Sequence, residues 1–372
     1  MRLLPGCSAM KTIVPVCNER SKGSAEGIYS LERICGGKIS KTGNICTNLM
    51  AAITEISQTS VASHLRPLNP RRDLRRVADL IELCFDETLD ADGRRYLSHM
   101  RRTEQNQSQH WWEIPLFQAE IGTAGFVWEE KGQIVGNISL IPFVSLGKPI
   151  YLIANVAVHP DYRRRGIARA LTNAALERSQ KRRVRTVWLQ VRDNNPAAVQ
   201  LYESVGFIER ACRTTWTLLP GKLQGEVISG VRITSQKSGH WKPQREWLRQ
   251  NYPDPLLWYW PVSVPAFRPG IWGMLARFVT ETHLRQWAVE RQGQLLGTMS
   301  WRATSTYADQ LWLAAPPEHE DLVLKTLLPH LRWRERDQRP LSIDYPVGRA
   351  ANTLLETGFR ANHTLIWMEI NL

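Results

Sequence analysis

The feature that most constrains the fold of this chain is an internal repeat. Four short motifs from the middle of the chain return later in the same order. They are Gly132-Gln-Ile-Val-Gly136 with Gly293-Gln-Leu-Leu-Gly297, Val158-His-Pro160 with Ala315-Pro-Pro317, Ala197-Ala198-x-x-Leu201-Tyr202 with Ala350-Ala351-x-x-Leu354-Leu355, and Gly206-Phe207 with Gly358-Phe359. The separation falls gradually from 161 to 152 residues, as small deletions in one copy would produce. We therefore predict that one fold unit occurs twice.

The length of the chain fits this duplication, because 372 residues correspond to two domains of ordinary size. Residues 1–65 are rich in Ser, Gly and Thr and show neither strand nor helix periodicity. We predict that they are a disordered tail or lie before the true start, with Met50 as an alternative initiator. The predicted units are residues 66–220 and 243–372, joined by a glycine-containing linker over residues 221–242.

The hydrophobic pattern of residues 66–220 predicts alternating helices and strands. Helices are expected from residue 73 and over 93–102, followed by strands over 125–130, 134–143 and 151–158. A helix over 167–182, a strand over 186–191, a helix ending at 205 and a strand over 207–218 complete the unit. The predicted fold class is α/β (α+β), with a mixed, mostly antiparallel central sheet flanked by helices in each unit.

The net charge of +13 is concentrated in two places. Residues 1–49 carry +4 and residues 160–192 carry +8, so the rest of the chain is close to neutral. A basic segment can bind nucleic acid, an anionic membrane or a phosphate-bearing ligand. Because the charge is local, a nucleic-acid-binding protein is the weakest of the alternatives, and neither a nucleic-acid nor a membrane partner is expected.

The segment with the most chemical information is Val156-Ala-Val-His-Pro-Asp-Tyr-Arg-Arg-Arg-Gly-Ile-Ala168. A predicted strand ends, a short loop carries three arginines and a glycine, and a helix begins directly afterwards. The unpaired N–H groups of a first helical turn attract anions, and glycine permits their close approach. A pyrophosphate would fit here, whereas an isolated basic tripeptide before a helix would more simply be a solvated surface feature.

A second motif, Asn195-Pro-Ala-Ala-x-x-Leu-Tyr202-x-x-x-Gly206-Phe207, follows at a fixed distance. Together the two motifs resemble those of the GNAT family of N-acetyltransferases over about residues 66–220. The resemblance implies acetyl-CoA as cosubstrate and no metal. It also implies a cofactor site in which Val156 and Val158 bind pantetheine through main chain and the following loop binds the pyrophosphate, with Asn195 as a further cofactor contact. The loop residues are Arg163, Arg164, Arg165, Gly166, Ile167 and Ala168.

The resemblance also implies a role for Tyr202 as the acid that protonates the departing CoA thiolate. The implied reaction is direct attack by a primary amine in a ternary complex, with no covalent enzyme intermediate. Two residues have a second interpretation: Tyr202 can serve only to pack the core, and Asn195 is also a helix N-cap. Glu129 and Glu130 are expected to be solvated, and the general base is left unassigned, although Asn155 stands where some relatives carry an acid.

The second unit lacks these features, since Glu320-Asp-Leu-Val-Leu stands in place of the arginine and glycine loop and Leu355 in place of Tyr202. We predict a degenerate GNAT-like copy that cannot bind the cofactor. A non-catalytic acyl-CoA-binding regulatory module remains the alternative to an N-acyltransferase. Six cysteines without a disulfide or zinc spacing indicate a reducing, cytoplasmic location. The acceptor amine and the oligomeric state are not predicted.

Overall fold

A computed structural model describes residues 64–105, 124–221, 228–280, 283–334 and 339–372. The predicted tail over 1–65 lies outside these ranges except for its last two residues. Within these ranges, the first half contains the strands and α-helices β1 (Leu65–Pro67), α1 (Pro70–Phe85), α2 (Ala91–Gln105), β2 (Ala124–Glu130), β3 (Gln133–Ser145), β4 (Lys148–Val158), α3 (Ile167–Lys181), β5 (Thr186–Arg192), α4 (Pro196–Val205) and β6 (Ile208–Leu218). Each predicted element of this half matches an observed one to within three residues at its ends.

The second half repeats the same succession of elements. They are β7 (Arg232–Ser235), α5 (Trp241–Asn251), α6 (Gly270–Val279), β8 (Arg285–Arg291), β9 (Gln294–Arg302), β10 (Asp309–Ala314), α7 (Glu320–Arg334), β11 (Leu341–Pro346), α8 (Ala351–Glu356) and β12 (Arg360–Asn371). The predicted linker over 221–242 therefore contains a strand, β7, and the first two residues of a helix, α5. The domain limits themselves stay a prediction.

All twelve strands belong to one sheet, in the order β1-β2-β3-β4-β5-β12-β6-β11-β10-β9-β8-β7. Neighbouring strands are antiparallel except for the pairs β4–β5 and β10–β11. The predicted mixed, mostly antiparallel sheet flanked by helices is thus confirmed. None of the helices in the described ranges has the length and apolar composition needed to cross a bilayer.

The two halves exchange their last strands at the centre of the sheet. Strand β12 lies between β5 and β6 and pairs with both, for example Trp367 with Gln190 and with Ala211. Strand β6 in turn pairs with β11 of the second half. Leu365 and Met368 of β12 are therefore buried in the core of the first half, together with residues of α3 and α4. The core of each half is completed by the other.

The repeated glycines have the same structural role in both halves. Gly132 and Gly293 form the turns of the hairpins β2–β3 and β8–β9 with φ of 77° and 82°, in the left-handed region that glycine adopts without strain. Gly136 lies beneath α3, where an added Cβ would come within 2.9 Å of Ile167 Cγ2. At Gly297 the corresponding contact, with Val323 Cγ2 of α7, would be 2.8 Å. The glycines therefore recur in the repeat because one position forms a tight turn and the other lies where a helix closely approaches a strand.

Helix α1 shows why the flanking helices form where they do. Asn69 Oδ1 accepts a hydrogen bond of 3.0 Å from the N–H of Arg71, and Pro70 occupies the first helical position, where its missing N–H costs nothing. The apolar residues recur at helical spacing and are buried: Leu74, Val77, Ala78, Ile81 and Phe85. They pack with α2 on one side of the sheet, whereas α3 and α4 pack with residues of the opposite side.

An aromatic cluster surrounds Trp367 of β12. Its ring centroid lies 4.8 Å from that of Tyr259, 6.0 Å from that of Trp258 and 6.3 Å from that of Trp188 on β5. These rings meet at steep angles, as aromatic pairs prefer, and Trp367 is only 3% exposed. The cluster fixes β12 against the first half and against residues that follow α5.

We expect Trp367→Ala to lower the free energy of unfolding by about 3–5 kcal/mol, the usual cost of truncating a buried tryptophan. Because β12 is shared, urea denaturation followed by circular dichroism should show one transition at lower urea for both halves. Leu355→Ala, at a position that is 56% exposed on α8, is the control and should change stability by less than about 0.5 kcal/mol. Two separate transitions in the Trp367 variant would contradict this expectation.

Candidate active site

The most distinctive local feature is a fork between β4 and β5. These parallel strands pair only where Ile150–Ile153 of β4 face Thr186–Leu189 of β5. Strand β4 continues to Val158 and β5 to Arg192, but the two strands are not paired beyond Ile153 and Leu189. Among the described residues, the main chain of β4 after Ile153 thus has no strand partner on its β5 side, which leaves this edge open to a ligand. Val156 and Val158 lie on this part of β4.

A bulge shapes β4 within the fork. Asn155 has φ of 52°, and the register with β3 shifts between Asn137 and Ser139. Asn137 Nδ2 donates 2.8 Å to the Asn155 carbonyl, and Asn155 Nδ2 donates 2.9 Å to Tyr96 Oη on α2. Burial raises the pKa of Tyr96 to about 12, so its hydroxyl remains protonated at neutral pH. The bulge is held in place by buried side chains on both neighbouring elements.

The loop that follows β4 has the backbone of an anion site. Arg164 and Gly166 have φ of 66° and 77°, and no side chain caps the N-terminus of α3. When residues in the left-handed conformation alternate with residues in other conformations, successive backbone N–H groups point towards one position. An uncapped helix N-terminus adds its partial positive charge. No atom lies within 4 Å of the position of a Cβ on Gly166, so the space beside it is open. The loop therefore fits a phosphate group.

The three arginines of this loop differ in their contacts. Arg163 Nε donates 3.2 Å to the Val158 carbonyl and braces the end of β4. Arg165 donates 2.9 Å to the Asp161 carbonyl and lies over the Tyr162 ring at 4.8 Å. Arg164 is exposed. Main-chain N–H groups, with the general positive field of the arginines, are thus what this loop offers to an anion.

Two further residues named from sequence lie on α4. Asn195 is 4% exposed, and its Oδ1 accepts 3.1 Å from the N–H of Ala198, which confirms the N-cap. Tyr202 is 5% exposed, packs edge-on against Phe207 at 5.9 Å and has no hydrogen-bond partner for its hydroxyl among the described residues. Burial raises the pKa of Tyr202 above its ordinary value. The phenol is therefore neutral and available to donate a proton.

Several residues near the fork were not identified from sequence. Tyr96 and Asn137 hold the bulge, and neither belongs to a recognisable motif. Arg192, where β5 ends, is largely desolvated, which lowers its pKa, while the nearby carboxylates of Asp90 and Asp193 act in the opposite sense. Glu129 lies elsewhere, paired with Arg66 at 2.5 Å. The described residues include no group of His, Cys, Asp and Glu that could hold a metal ion.

The comparisons with known proteins agree with this geometry. Residues 83–207 match the sequence profile of the Acetyltransferase (GNAT) family. Residues 83–207, called the GNAT segment below, are thus similar to the GNAT family. A crystal structure of a GCN5-related N-acetyltransferase from Sphaerobacter thermophilus superposes with a TM-score of 0.51 and 13% identity over 82% of this chain and 95% of that one. At this identity the likeness concerns the fold.

Two curated relatives share part of the GNAT segment. The ribosomal protein bS18 alanine N-acetyltransferase of Escherichia coli K12 is 48% identical over 80 residues, which are 22% of this chain and 54% of that enzyme. An uncharacterised N-acetyltransferase of Methanocaldococcus jannaschii is 41% identical over 94 residues, 24% of this chain and 42% of that protein. The chain thus spans about half the length of the curated relatives it matches.

The second half has a similar fork, which is filled by its own side chains. Strand β10 pairs with β11 only where Asp309–Leu311 face Leu341–Ile343, although both strands continue further. Asn251, at the end of α5, donates 3.2 Å to the Leu313 carbonyl and 2.8 Å to Tyr345 Oη. Asn251 and Tyr345 are fully buried. The main-chain groups that remain open in the GNAT segment are thus partly occupied in this half.

The N-terminus of α7 also differs from that of α3. The buried carboxylate of Glu320 accepts a hydrogen bond from Tyr345 and forms an ion pair with Arg349, while Asp321 accepts 2.6 Å from Thr353 on α8. Burial raises the pKa of Glu320. A carboxylate of the protein itself therefore occupies the helix end that is open in the GNAT segment.

One residue correspondence predicted from sequence is wrong. The N–H of Phe207 bonds to the Tyr202 carbonyl, and the N–H of Phe359 bonds to the Leu354 carbonyl. The counterpart of Tyr202 is therefore Leu354 and not Leu355. Leu354 is fully buried whereas Leu355 is mostly exposed, which agrees with this assignment. The shift arises because α8 is shorter than α4 at its N-terminal end.

The left-handed conformation of Asn155 can be tested with a pair of variants. Asn155→Ala and Asn155→Gly both lose the hydrogen bond to Tyr96, but alanine should be less stable than glycine by about 1 kcal/mol because only its Cβ clashes at positive φ. Urea denaturation measures the difference. At the exposed Asn194, whose φ lies outside the left-handed region, the order should reverse. Equal stability of the two Asn155 variants would contradict the strain.

Proposed function

We propose that the first half transfers an acetyl group from acetyl-CoA to a primary amine within a ternary complex. The observation that carries this proposal is the open edge of β4, which leads directly into a left-handed loop and an uncapped helix N-terminus. The strand edge needs hydrogen-bonding partners, and the helix end needs an anion. An extended chain that ends in a pyrophosphate supplies both.

The residues present fit acetyl-CoA at each point. The main chain at Val156 and Val158 would pair with the pantetheine arm, while their side chains pack against the core. The N–H groups from Arg163 to Ala168 would bind the pyrophosphate, with Gly166 allowing close approach. Ile167 contributes only through its backbone, since its side chain is buried. Asn195 caps α4 and is the remaining proposed contact.

When bound, acetyl-CoA supplies an activated acetyl group. The nitrogen of the amine bonds to the carbonyl carbon, the carbon–sulfur bond breaks, one proton leaves the nitrogen and one is taken up by the thiolate. N–H groups of the β4 main chain stabilise the negative charge that develops on the carbonyl oxygen. Tyr202 donates the proton to the sulfur, a task that suits a buried phenol kept neutral by its raised pKa.

We propose that the second half does not bind acetyl-CoA. Asn251 and Tyr345 occupy its fork, and Glu320 supplies a negative charge where the pyrophosphate would lie. Leu354 stands in place of the tyrosine acid. The contribution of this half is instead β12, which completes the sheet of the first half.

The acceptor is proposed to be a primary amine, and a protein α-amine is one option. This is supported by relatives named as N-acetyltransferases of an alanine of a ribosomal protein. Their identity to this chain is limited to a segment. The alternative, a non-catalytic acyl-CoA-binding module, would use the same loop without any need for Tyr202.

The anion site can be tested with two matched glycine variants. Gly166 and Gly132 both have φ of 77° and open space around the Cβ position, so Gly166→Ala and Gly132→Ala should each lose about 1 kcal/mol of stability. Only Gly166→Ala should weaken acetyl-CoA binding, by about ten-fold, because it displaces N–H groups from the pyrophosphate. Isothermal titration calorimetry measures this. Equal affinities of the two variants would place the cofactor elsewhere.

The proposed acid predicts a specific kinetic change. Tyr202→Phe should lower kcat for thiol release with an amine panel by about 10²-fold and leave the Kd of acetyl-CoA unchanged. Tyr151→Phe, in the same core cluster, is the matched control. Burial raises the pKa of Tyr202 above its ordinary value of 10.0. Deprotonation of Tyr202 should therefore not lower the wild-type kcat at any pH up to 10. Binding of acetyl-CoA without thiol release would favour the non-catalytic module.

A further inference from the structure

A cavity of about 110 Å³ lies where the two halves meet. Its walls come from β5, β12, β6, β11 and β10, and residues 259–261, which follow α5, form another side. It is partly open to solvent. Both halves therefore contribute side chains to it, and neither half could form it alone.

The cavity adjoins the fork of the first half through Gln190. The preceding residue, Leu189, forms the last pair with β4, opposite Ile153. Gln190 itself pairs with Trp367 of β12. Since successive side chains of a strand alternate, Gln190 points away from the core of α3 and α4, where Leu189 is buried. The cavity thus begins where β4 and β5 separate, on the side of the sheet opposite Tyr202.

Two buried amide groups of this cavity lack a partner. The side-chain oxygens of Gln190 and Gln310 are buried without a hydrogen bond among the residues that the structure describes. Gln190 is 5% exposed and comes from β5 of the first half, and Gln310 comes from β10 of the second. A buried acceptor left unpaired is destabilising, so a ligand that brings N–H donors would bind here favourably.

The remaining walls favour a cation. Five aromatic residues line the cavity, Tyr252, Tyr259, Trp260, Trp312 and Trp367, and aromatic ring faces attract ammonium groups. The positive charge of Arg213 is already compensated by Asp344 at 3.1 Å, and its other nitrogens donate 2.7 Å to the carbonyls of Asn251 and Asp344. The cavity therefore presents ring faces and hydrogen-bond acceptors together.

We propose that this cavity binds the acceptor as a small alkylammonium ion, which gives a proton to solvent water before acetyl transfer. The inference rests on the proposed function and adds to it the class of acceptor and the part played by the second half. An apolar protein cavity of about 150 Å³ can hold benzene, and the present cavity is smaller. It therefore accommodates a group of about four to six heavy atoms. The second half would then contribute one wall of an acceptor site in place of a cofactor site of its own.

Binding can be measured without turnover by the fluorescence of the tryptophans that line the cavity. n-Butylammonium and tetramethylammonium chloride are the cationic probes, and tert-butanol is a neutral probe of the same heavy-atom count. Both cations should change the fluorescence saturably and tert-butanol should not. In the double variant Gln190→Met with Gln310→Met, the affinity for n-butylammonium should fall about ten-fold. Gln294→Met, at an exposed position of β9, is the matched control.

Turnover then separates this proposal from the proposed function. With n-butylamine as acceptor, the double variant should raise KM about ten-fold with little change in kcat, and tetramethylammonium, which cannot be acetylated, should compete with the amine. Equal binding of tert-butanol, an unchanged KM in the double variant, or inhibition that does not compete with the amine would overturn the acceptor site. Absence of thiol release despite normal probe binding would instead count against the proposed function.

Discussion

The pairing of β12 with both β5 and β6 is the interaction on which the rest of the structure depends. Without it, β5 would expose one edge at the base of the fork, and the core of α3 and α4 would lose Leu365 and Met368. The same exchange gives β11 its neighbour β6 and places Trp216 and Leu218 in the core of the second half. An unpaired central strand is an aggregation hazard, so the two halves protect each other's edges.

The two forks show how one backbone arrangement can have opposite consequences. Parallel strands that separate expose main-chain groups, and a helix that begins nearby adds a partial positive charge. In the first half, glycine and left-handed backbone keep this surface open for a ligand. In the second half the Asn251 amide bonds to the Leu313 carbonyl, and the carboxylate of Glu320 lies at the start of α7. Ligand binding and internal hydrogen bonding are alternative solutions to one physical requirement.

Local features could be predicted from the sequence because their causes are local. The turn glycines, the Asn195 cap and the loop before α3 follow from φ restrictions and helix-end chemistry within a few residues. The exchange of β12 could not be predicted, since the pairing of Trp367 with Gln190 joins residues far apart in sequence. Tyr96 and Asn251 were missed for the same reason. Each acts on a distant strand, and a lone tyrosine or asparagine has no periodic signature in the sequence.

The position of β12 in the chain has a consequence for synthesis. Ribosomes deliver residues in order, so α3, β5, α4 and β6 leave the exit tunnel long before the strand that must lie between β5 and β6. Until then, the nascent first half has two strand edges in need of a partner and a core without Leu365 and Met368. Its maturation therefore waits for translation of the second half, and a stalled or prematurely terminated chain would be a substrate for chaperones and proteases.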